Sequence, residues 1–298
     1  MAMNLRNPIQ LLRGTGRDIA SQTGKEGALY FDTETGTLLV HNGSELNILT
    51  RVFNDPILSP TIYVDAENGD DSNYGFSESA PVKTFDRALV LTNVVNSVFI
   101  SNIKLAAGTY ITEVKEVPNC IIMGDSMDTT FINMPYFKNE SKYVSVNNVT
   151  ITASSVDNNT IAFSSYEGTL HFINTRLRAS GDVNAILYGG DNSYVYISHV
   201  ELDMTNVNGR SLIYSNFSSA INLYDLHIRG NVTVDYTVFA LGNSYIFIDP
   251  NGPIVNHGTV TGSRYRAAYG SVIATDGQGA TAIPGTSDGT VAGNGYYY

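Results

Sequence analysis

The stretch that decides the fold spans residues 170 to 177 and reads LHFINTRL. Every second residue faces one side, and one extra residue in the middle breaks this alternation, which is typical of two short strands joined at a bend. Similar patterns start at Val144, Val195 and Ile221, with a weaker copy at Ile246, so that successive copies are 25 or 26 residues apart. Helical spacing does not fit these positions.

A second apolar element keeps the same period. Its copies begin at Ile161, Ile186, Leu212 and Val238, at intervals of 25, 26 and 26 residues. Each repeat therefore has at least three short strands, and strands stacked at about 4.8 Å form parallel sheets with continuous aliphatic ladders. The sequence predicts an all-β fold, a right-handed parallel β-helix of about seven coils with 25–26 residues per coil in its regular part. A propeller would need about 40 residues per blade.

Composition changes along the chain predict four segments. Residues 1–55 form a small β module, in which residues 27–32 and 37–43 pair as a hairpin across the turn at 33–36. Residues 56–97 provide a linker and one capping helix, whose start signal is Ser79–Pro81. Residues 98–257 form the β-helix, and residues 258–298 form a segment rich in Gly, Ala and Thr.

Charge and composition argue against several classes of partner. The chain has 28 acidic and 17 basic residues and a net charge of −11, so we expect no nucleic-acid binding. No apolar run approaches the ~20 residues that span a bilayer, so we expect no membrane insertion. Cys120 is the single cysteine, which leaves no intramolecular disulfide and no thiolate metal site. We expect no cofactor.

The best catalytic candidates are two carboxylates on one predicted strand face. Glu201 and Asp203 are two residues apart, so their backbones are separated by about 6.6 Å and their carboxyl groups fit the spacing of glycosidase pairs, roughly 5 to 9.5 Å. Basic residues precede and follow them in the neighbouring repeats, however, and should keep both ionised, whereas a general acid needs a raised pKa. We therefore favour a charge-alternating ladder over catalysis. Its predicted columns are Thr150, Arg176, Glu201, His227 and Thr152, Arg178, Asp203, Arg229.

The same ladder is a candidate glycan-binding surface. Carbohydrate sites commonly combine an aromatic platform with fixed polar groups. We assign this role to Arg178, Tyr196, Asp203 and Arg229.

Metal binding is not expected. His171, His199 and His227 recur in successive repeats but occupy different positions in the pattern, so we do not expect them to converge on one ion. Asp65, Asp70 and Asp71 lack the spaced ligand series of an EF-hand, and we interpret them as a hydrogen-bonded turn.

Three parts of the sequence resemble bacteriophage proteins. Residues 11–15 and 27–43 are similar to the N-terminal module of phage tail-fibre proteins of the major-tropism-determinant type. Residues 62–75, with the Lys-Thr-Phe at 83–85 and residues 104–110, resemble the entry to the pectate-lyase-like β-helix of phage tailspikes. Residues 262–267, residues 283–286 and the Gly-Tyr ending at residues 295–298 are together similar to the terminus of many phage fibre and spike proteins.

The resemblance implies a homotrimeric tail fibre or tailspike, made in the bacterial host cytoplasm and located in the virion tail. Its N-terminal module would attach to tail, baseplate or adaptor proteins, and its distal surface would contact host polysaccharide. We expect a non-enzymatic protein; the alternatives are a polysaccharide depolymerase (hydrolase or lyase) or deacetylase, and an adaptor fibre without host contact. The attachment residues implied by the module are Leu12, Arg13, Tyr30, Phe31 and His41.

Overall fold

The computed structural model describes residues 11–14, 29–32, 37–41, 46–51, 60–95, 100–140, 142–154 and 160–298. The chain divides into two compact units, residues 1–104 and residues 105–298. Among the described residues, no helix has the length and apolar character needed to cross a membrane. The first elements are β1 (Leu11–Gly14), β2 (Leu29–Asp32), β3 (Thr37–His41), β4 (Leu46–Arg51), β5 (Thr61–Val64), α1 (Phe85–Val95) and β6 (Ser101–Leu105).

The first unit begins with a four-stranded sheet in the order β1-β2-β3-β4. Strands β2 and β3 are antiparallel, with Leu29 opposite Val40, so the predicted hairpin is confirmed. The predicted turn, residues 33–36, lies outside the described residues. Tyr30 is only 2% exposed, which shows that β2 contributes to a packed interior.

Two polar side chains accept backbone hydrogen bonds at the start of helix α1. Thr84 is the N-cap, since its Oγ1 accepts a hydrogen bond from the Arg87 N–H at 3.1 Å. Asp71 accepts hydrogen bonds from the N–H groups of Lys83 and Thr84 at 2.8 and 2.9 Å. The helix therefore begins at Phe85, a few residues after the predicted start signal.

Nearby, Asp65 accepts hydrogen bonds from the N–H groups of Glu67 and Asn68, both at 2.9 Å. The hydrogen bond from the Asn68 N–H is the largest of the causes that lower the pKa of the Asp65 carboxyl. Asp65 and Asp70 thus form hydrogen-bonded turns, as predicted, since Asp70 likewise accepts from the Ser72 N–H at 2.8 Å. Asp71 instead connects to the start of the helix.

The second unit is a parallel β-helix, and the chain has about seven turns in all, which confirms the predicted fold class. One 3₁₀ turn lies at Ala280–Ala282. The strands are β7 (Gly108–Ile111), β8 (Cys120–Gly124), β9 (Thr130–Met134), β10 (Phe137–Glu140), β11 (Tyr143–Asn147), β12 (Thr150–Ala153), β13 (Ile161–Tyr166), β14 (Thr169–Gly190), β15 (Tyr194–Ser215), β16 (Ala220–Leu241), β17 (Tyr245–Ile248), β18 (Ile254–Asn256), β19 (Thr259–Ala268), β20 (Val272–Ala274), β21 (Thr290–Ala292) and β22 (Tyr296–Tyr297).

Three parallel ladders give the β-helix its sides, and β14, β15 and β16 each run through all three. In the first ladder, Val144, Leu170, Val195, Ile221 and Ile246 lie in one column, each at most 1% exposed. Stacking identical positions about 4.8 Å apart removes these aliphatic faces from water, which no single coil achieves alone. Parallel pairing continues through β19 to β22, so the ladders extend into the Gly-rich segment.

The extra residue of the repeat pattern forms the predicted bend. Asn148, Asn174, His199 and Asp225 occupy this position, and all have positive φ angles, between 48° and 57°. Asn and Asp tolerate this left-handed conformation because their short side chains hydrogen-bond locally. One left-handed residue per coil turns the chain from the first ladder into the second.

The register of the third ladder differs from the sequence pattern. The pattern aligns Leu212 with Val238, whereas the structure pairs Ile213 with Val238. The cause is a register shift between Met204 and Val207, where β15 carries an extra residue at the corner before the third ladder. Asn206 has a φ of 52° at this corner.

Buried serines connect the coils at a turn that the apolar pattern does not reveal. Ser219, Ser244 and Ser271 donate side-chain hydrogen bonds to carbonyl groups of the preceding coil, at 2.6, 2.9 and 2.7 Å. All three are at most 2% exposed. Each hydroxyl satisfies polar groups that burial would otherwise leave without partners.

Candidate functional site

The second ladder presents the predicted columns of charged residues. Its register places Arg176 beside Glu201 and Glu201 beside His227. The neighbouring column places Arg178 beside Asp203 and Asp203 beside Arg229. Both columns therefore have the order that the repeat predicts, with Thr150 and Thr152 at their starts.

Glu201 lies at the centre of an ion-pair network. Arg176 donates from Nε to Glu201 Oε2 at 2.8 Å, and Arg229 donates from an Nη to Glu201 Oε1 at 3.0 Å. Arg176 also reaches Asp128 Oδ1 at 3.0 Å. The side chains of Arg176 and Glu201 are only 17% and 16% exposed. Both oxygens of Glu201 are thus occupied, one by each arginine.

The environment of Glu201 opposes a role as a general acid. Burial by itself would raise the pKa of its carboxyl, but the hydrogen bonds and positive charges of Arg176 and Arg229 outweigh burial, so the pKa is lowered. At neutral pH the group is ionised and cannot supply a proton to a leaving group.

Asp203 has a partner in the preceding coil, because Arg178 Nε donates to its Oδ2 at 2.8 Å. The two carboxylates that the sequence singles out as weak catalytic candidates therefore both form ion pairs with arginines. As a result, the geometry matches the charge-alternating ladder.

The predicted glycan-binding set is only partly brought together. Arg178 pairs with Asp203, whereas Arg229 reaches across to Glu201 in the other column. Tyr196 lies before the bend at His199, on the first ladder, and its ring contacts His171 edge-on at 5.5 Å between centroids. The left-handed bend between Tyr196 and the charged columns explains why alternation alone places them too close together.

Two of the three recurring histidines approach one carboxylate, and the third lies apart from them. His171 remains on the aromatic first ladder, but His199 and His227 both approach Asp225, at 3.7 and 2.9 Å. His227 also contacts His257, with 2.8 Å between Nδ1 and Nε2. In the part of the chain that the structure describes, no group of three His, Cys, Asp or Glu side chains is arranged to hold a metal ion.

An aromatic surface lies on the outer face of the first ladder. The His171 ring contacts the rings of Tyr143, Tyr194 and Tyr196, at centroid distances of 5.4, 6.1 and 5.5 Å. All four side chains are partly exposed. Burial lowers the pKa of His171, so the ring is neutral at physiological pH. The surface therefore offers apolar ring faces to solvent without a fixed charge from the imidazole.

The predicted attachment residues lie in the small sheet of the first unit. Leu12 and Arg13 in β1 are in register with Tyr30 and Phe31 in β2, and His41 ends β3. Of these five side chains, the structure describes only that of Tyr30, which is buried.

A cavity on the third ladder is absent from the sequence predictions. It measures about 270 Å³ and is lined by Tyr136, Lys138, Thr160, Ile161, Ser164 and Tyr166. Lysine distribution is the signal that points to this region, since four of the chain's six lysines lie between residues 104 and 142. Tyr136 and Tyr166 are 30 residues apart, and no local sequence pattern indicates that both line this cavity.

No family model, curated protein or solved structure matches this chain.

Proposed function

We propose that this chain is a structural subunit of a bacteriophage tail, a fibre or tailspike that assembles as a homotrimer. Residues 1–55 attach it to the virion through tail, baseplate or adaptor proteins, and the β-helix contacts the host surface or another fibre chain. The three resemblances in the sequence support this proposal. A stacked β-helix also suits it, since backbone pairing along the whole axis makes a stiff rod.

The observation that carries the non-enzymatic part of the proposal is the occupied state of Glu201. Its two oxygens accept hydrogen bonds from Arg176 and Arg229. A hydrolase with this carboxylate as its acid would need the opposite environment, one that raises the pKa. The network instead couples three successive coils, which is a structural role.

The aromatic surface around His171 supports a role in contact with polysaccharide. Partly exposed tyrosine rings offer flat apolar faces with hydroxyl groups at their edges, which suit the faces of sugar rings. Because the tyrosines belong to successive coils, the contact would extend along a polysaccharide chain rather than enclose a single sugar residue.

Two measurements on the purified full-length chain test the proposal. Sedimentation equilibrium should give a species of three times the 32.3 kDa chain mass, and a monomer would contradict the trimer. Incubation with capsular polysaccharide and lipopolysaccharide should leave polymer length unchanged for the wild type, Glu201→Gln and Asp203→Asn alike. Shortening by the wild type that either variant abolishes would make the protein a depolymerase.

A further inference from the structure

The cavity on the third ladder exists because a small residue interrupts a column of large ones. The register aligns Ser164 with Tyr188, Tyr214 and Phe239 in the three following coils. The rings of Tyr188 and Tyr214 lie 5.1 Å apart, and those of Tyr214 and Phe239 lie 4.7 Å apart. At Ser164 the column has a hydroxymethyl group where the next coils have an aromatic ring, which leaves space at this end of the stack.

Two tyrosines bound this space. Tyr166 extends the stack, with its ring 5.2 Å from that of Tyr188, and Tyr136 approaches from the preceding coil. Ile161 adds an apolar wall, and the hydroxyl groups of Thr160 and Ser164 add polar ones. A pyranose ring, which has apolar C–H groups on one face and hydroxyl groups at its edge, fits such a lining better than a purely apolar molecule does.

Positive charge lies beside the same space. Lys138 lines it, with Nζ 5.5 Å from the centre of the Tyr166 ring, and Lys115 Nζ lies 5.2 Å from the centre of the Tyr136 ring. Lys138 forms an ion pair with Glu140 at 2.7 Å, and the two side chains are 33% and 47% exposed. An exposed ion pair of this kind is weak enough for a second carboxylate to compete with Glu140 for the ammonium group.

We propose that this cavity binds one carboxylated sugar residue, a hexuronate, of an acidic surface polysaccharide. The sugar ring lies against Tyr136 and Tyr166, and its carboxylate pairs with Lys138. The volume of about 270 Å³ is just below the usual lower limit for small-molecule sites, about 300 Å³, which suits one sugar ring. The inference rests on the proposed function only in taking a host polysaccharide as the source of the ligand.

The test uses calorimetric titration of the full-length chain with tetragalacturonate and with a hyaluronan hexasaccharide, which carries glucuronate. Methyl-esterified tetragalacturonate is the neutral control. We expect at least one acidic probe to bind, to bind more weakly as salt increases, and to lose its affinity on esterification. No binding of either acidic probe at millimolar concentration, or equal binding of the ester, would overturn the proposal.

Three variants assign the binding to the cavity. Lys138→Met should weaken it about tenfold, because a charge-assisted hydrogen bond is lost. Glu140→Gln should strengthen it about threefold, because Lys138 is released from its competitor. Lys104→Met removes the same charge from a lysine that pairs with Glu78 in the first unit, and it should change nothing. If the two lysine variants weaken binding equally, binding depends only on the net charge of the chain, and the assignment of the cavity as the binding site is overturned.

Ser164→Phe fills the cavity with the type of side chain that the next coils already carry at this position. It should abolish binding while leaving the thermal unfolding midpoint unchanged or raised. Unchanged affinity in a folded Ser164→Phe variant would place the ligand elsewhere. Titration measures ligand binding and sedimentation measures assembly, so binding can fail while sedimentation still shows a trimer, and the two proposals are tested separately.

Discussion

Replacing Glu201 by glutamine should destabilise the β-helix by about 2 kcal/mol at neutral pH. The hydrogen-bonded pair with Arg176 is about five-sixths buried, so its loss should cost about 1.5 kcal/mol, the low end for bonds to charged groups. The pair with Arg229 adds only about 0.3 kcal/mol, because that arginine is 47% exposed and solvent screens it. Glutamine retains the shape of the side chain, so the change reports on charge rather than on packing.

The pH dependence follows from the lowered pKa of Glu201. A carboxyl group whose pKa is lower in the folded state stabilises the fold fully above its unfolded pKa, near 4.5, and this contribution is lost as pH falls through the folded value. The difference between wild type and Glu201→Gln should therefore be constant above about pH 5 and shrink progressively below it.

Urea unfolding followed by circular dichroism and tyrosine fluorescence measures both effects, since the chain has 19 tyrosines and no tryptophan. A double-mutant cycle with Arg176→Met should give a coupling energy of about 1 kcal/mol or more. Asp203→Asn is the matched control, because its pair with Arg178 is about one-third exposed and should be worth about 0.5 kcal/mol. A coupling energy below about 0.3 kcal/mol for the Glu201 pair would refute the reasoning.

Three further substitutions or reactions test the fold itself. Ser219→Ala should lower the free energy of unfolding in urea by about 1 to 2 kcal/mol, because the buried hydroxyl that donates to the Gly189 carbonyl is lost. An unchanged unfolding midpoint would show that this hydrogen bond between coils does not stabilise the fold. His199→Val should lower the free energy of unfolding by about 1 to 2 kcal/mol, because a β-branched residue is strained at a φ of 54°. His199→Asn should be nearly neutral. A larger loss for His199→Asn than for His199→Val would contradict the left-handed conformation at this bend. Cys120 is fully buried and burial raises the pKa of its thiol, so it should react with a thiol reagent only at the rate of unfolding; rapid reaction in native buffer would show that the core is open.

The period of the repeat could be predicted from sequence because each coil uses the same inward positions. Val144, Leu170 and Val195 all face the core, and a strand exposes every second residue on one side. The same logic predicted the outward columns, including the placement of Glu201 between Arg176 and His227. The sequence pattern aligned Leu212 with Val238 in the third ladder, and this alignment was wrong. The extra residue at the corner before the third ladder shifts the register, and it has no apolar signature.

The candidate sites were less accessible to sequence reasoning than the ladders. Tyr196 and Asp203 are seven residues apart, yet the left-handed residue His199 turns the chain between them. The approach of His199 and His227 to Asp225 also required the actual bend geometry. Distances across a corner depend on backbone angles that alternation does not encode.

By itself, the sequence determined the coil period, the parallel stacking and the order of charges along the second ladder, because these depend on residue spacing and on the two-residue period of a strand. Tertiary structure alone decided which side chains meet across corners and between coils. Ser164, Tyr136 and Tyr166 form one cavity because the coils place them together, and the space reflects a missing ring that only the neighbouring coils reveal. Such a site depends on relative side-chain volume in adjacent coils, which a linear pattern of apolar and polar residues does not record.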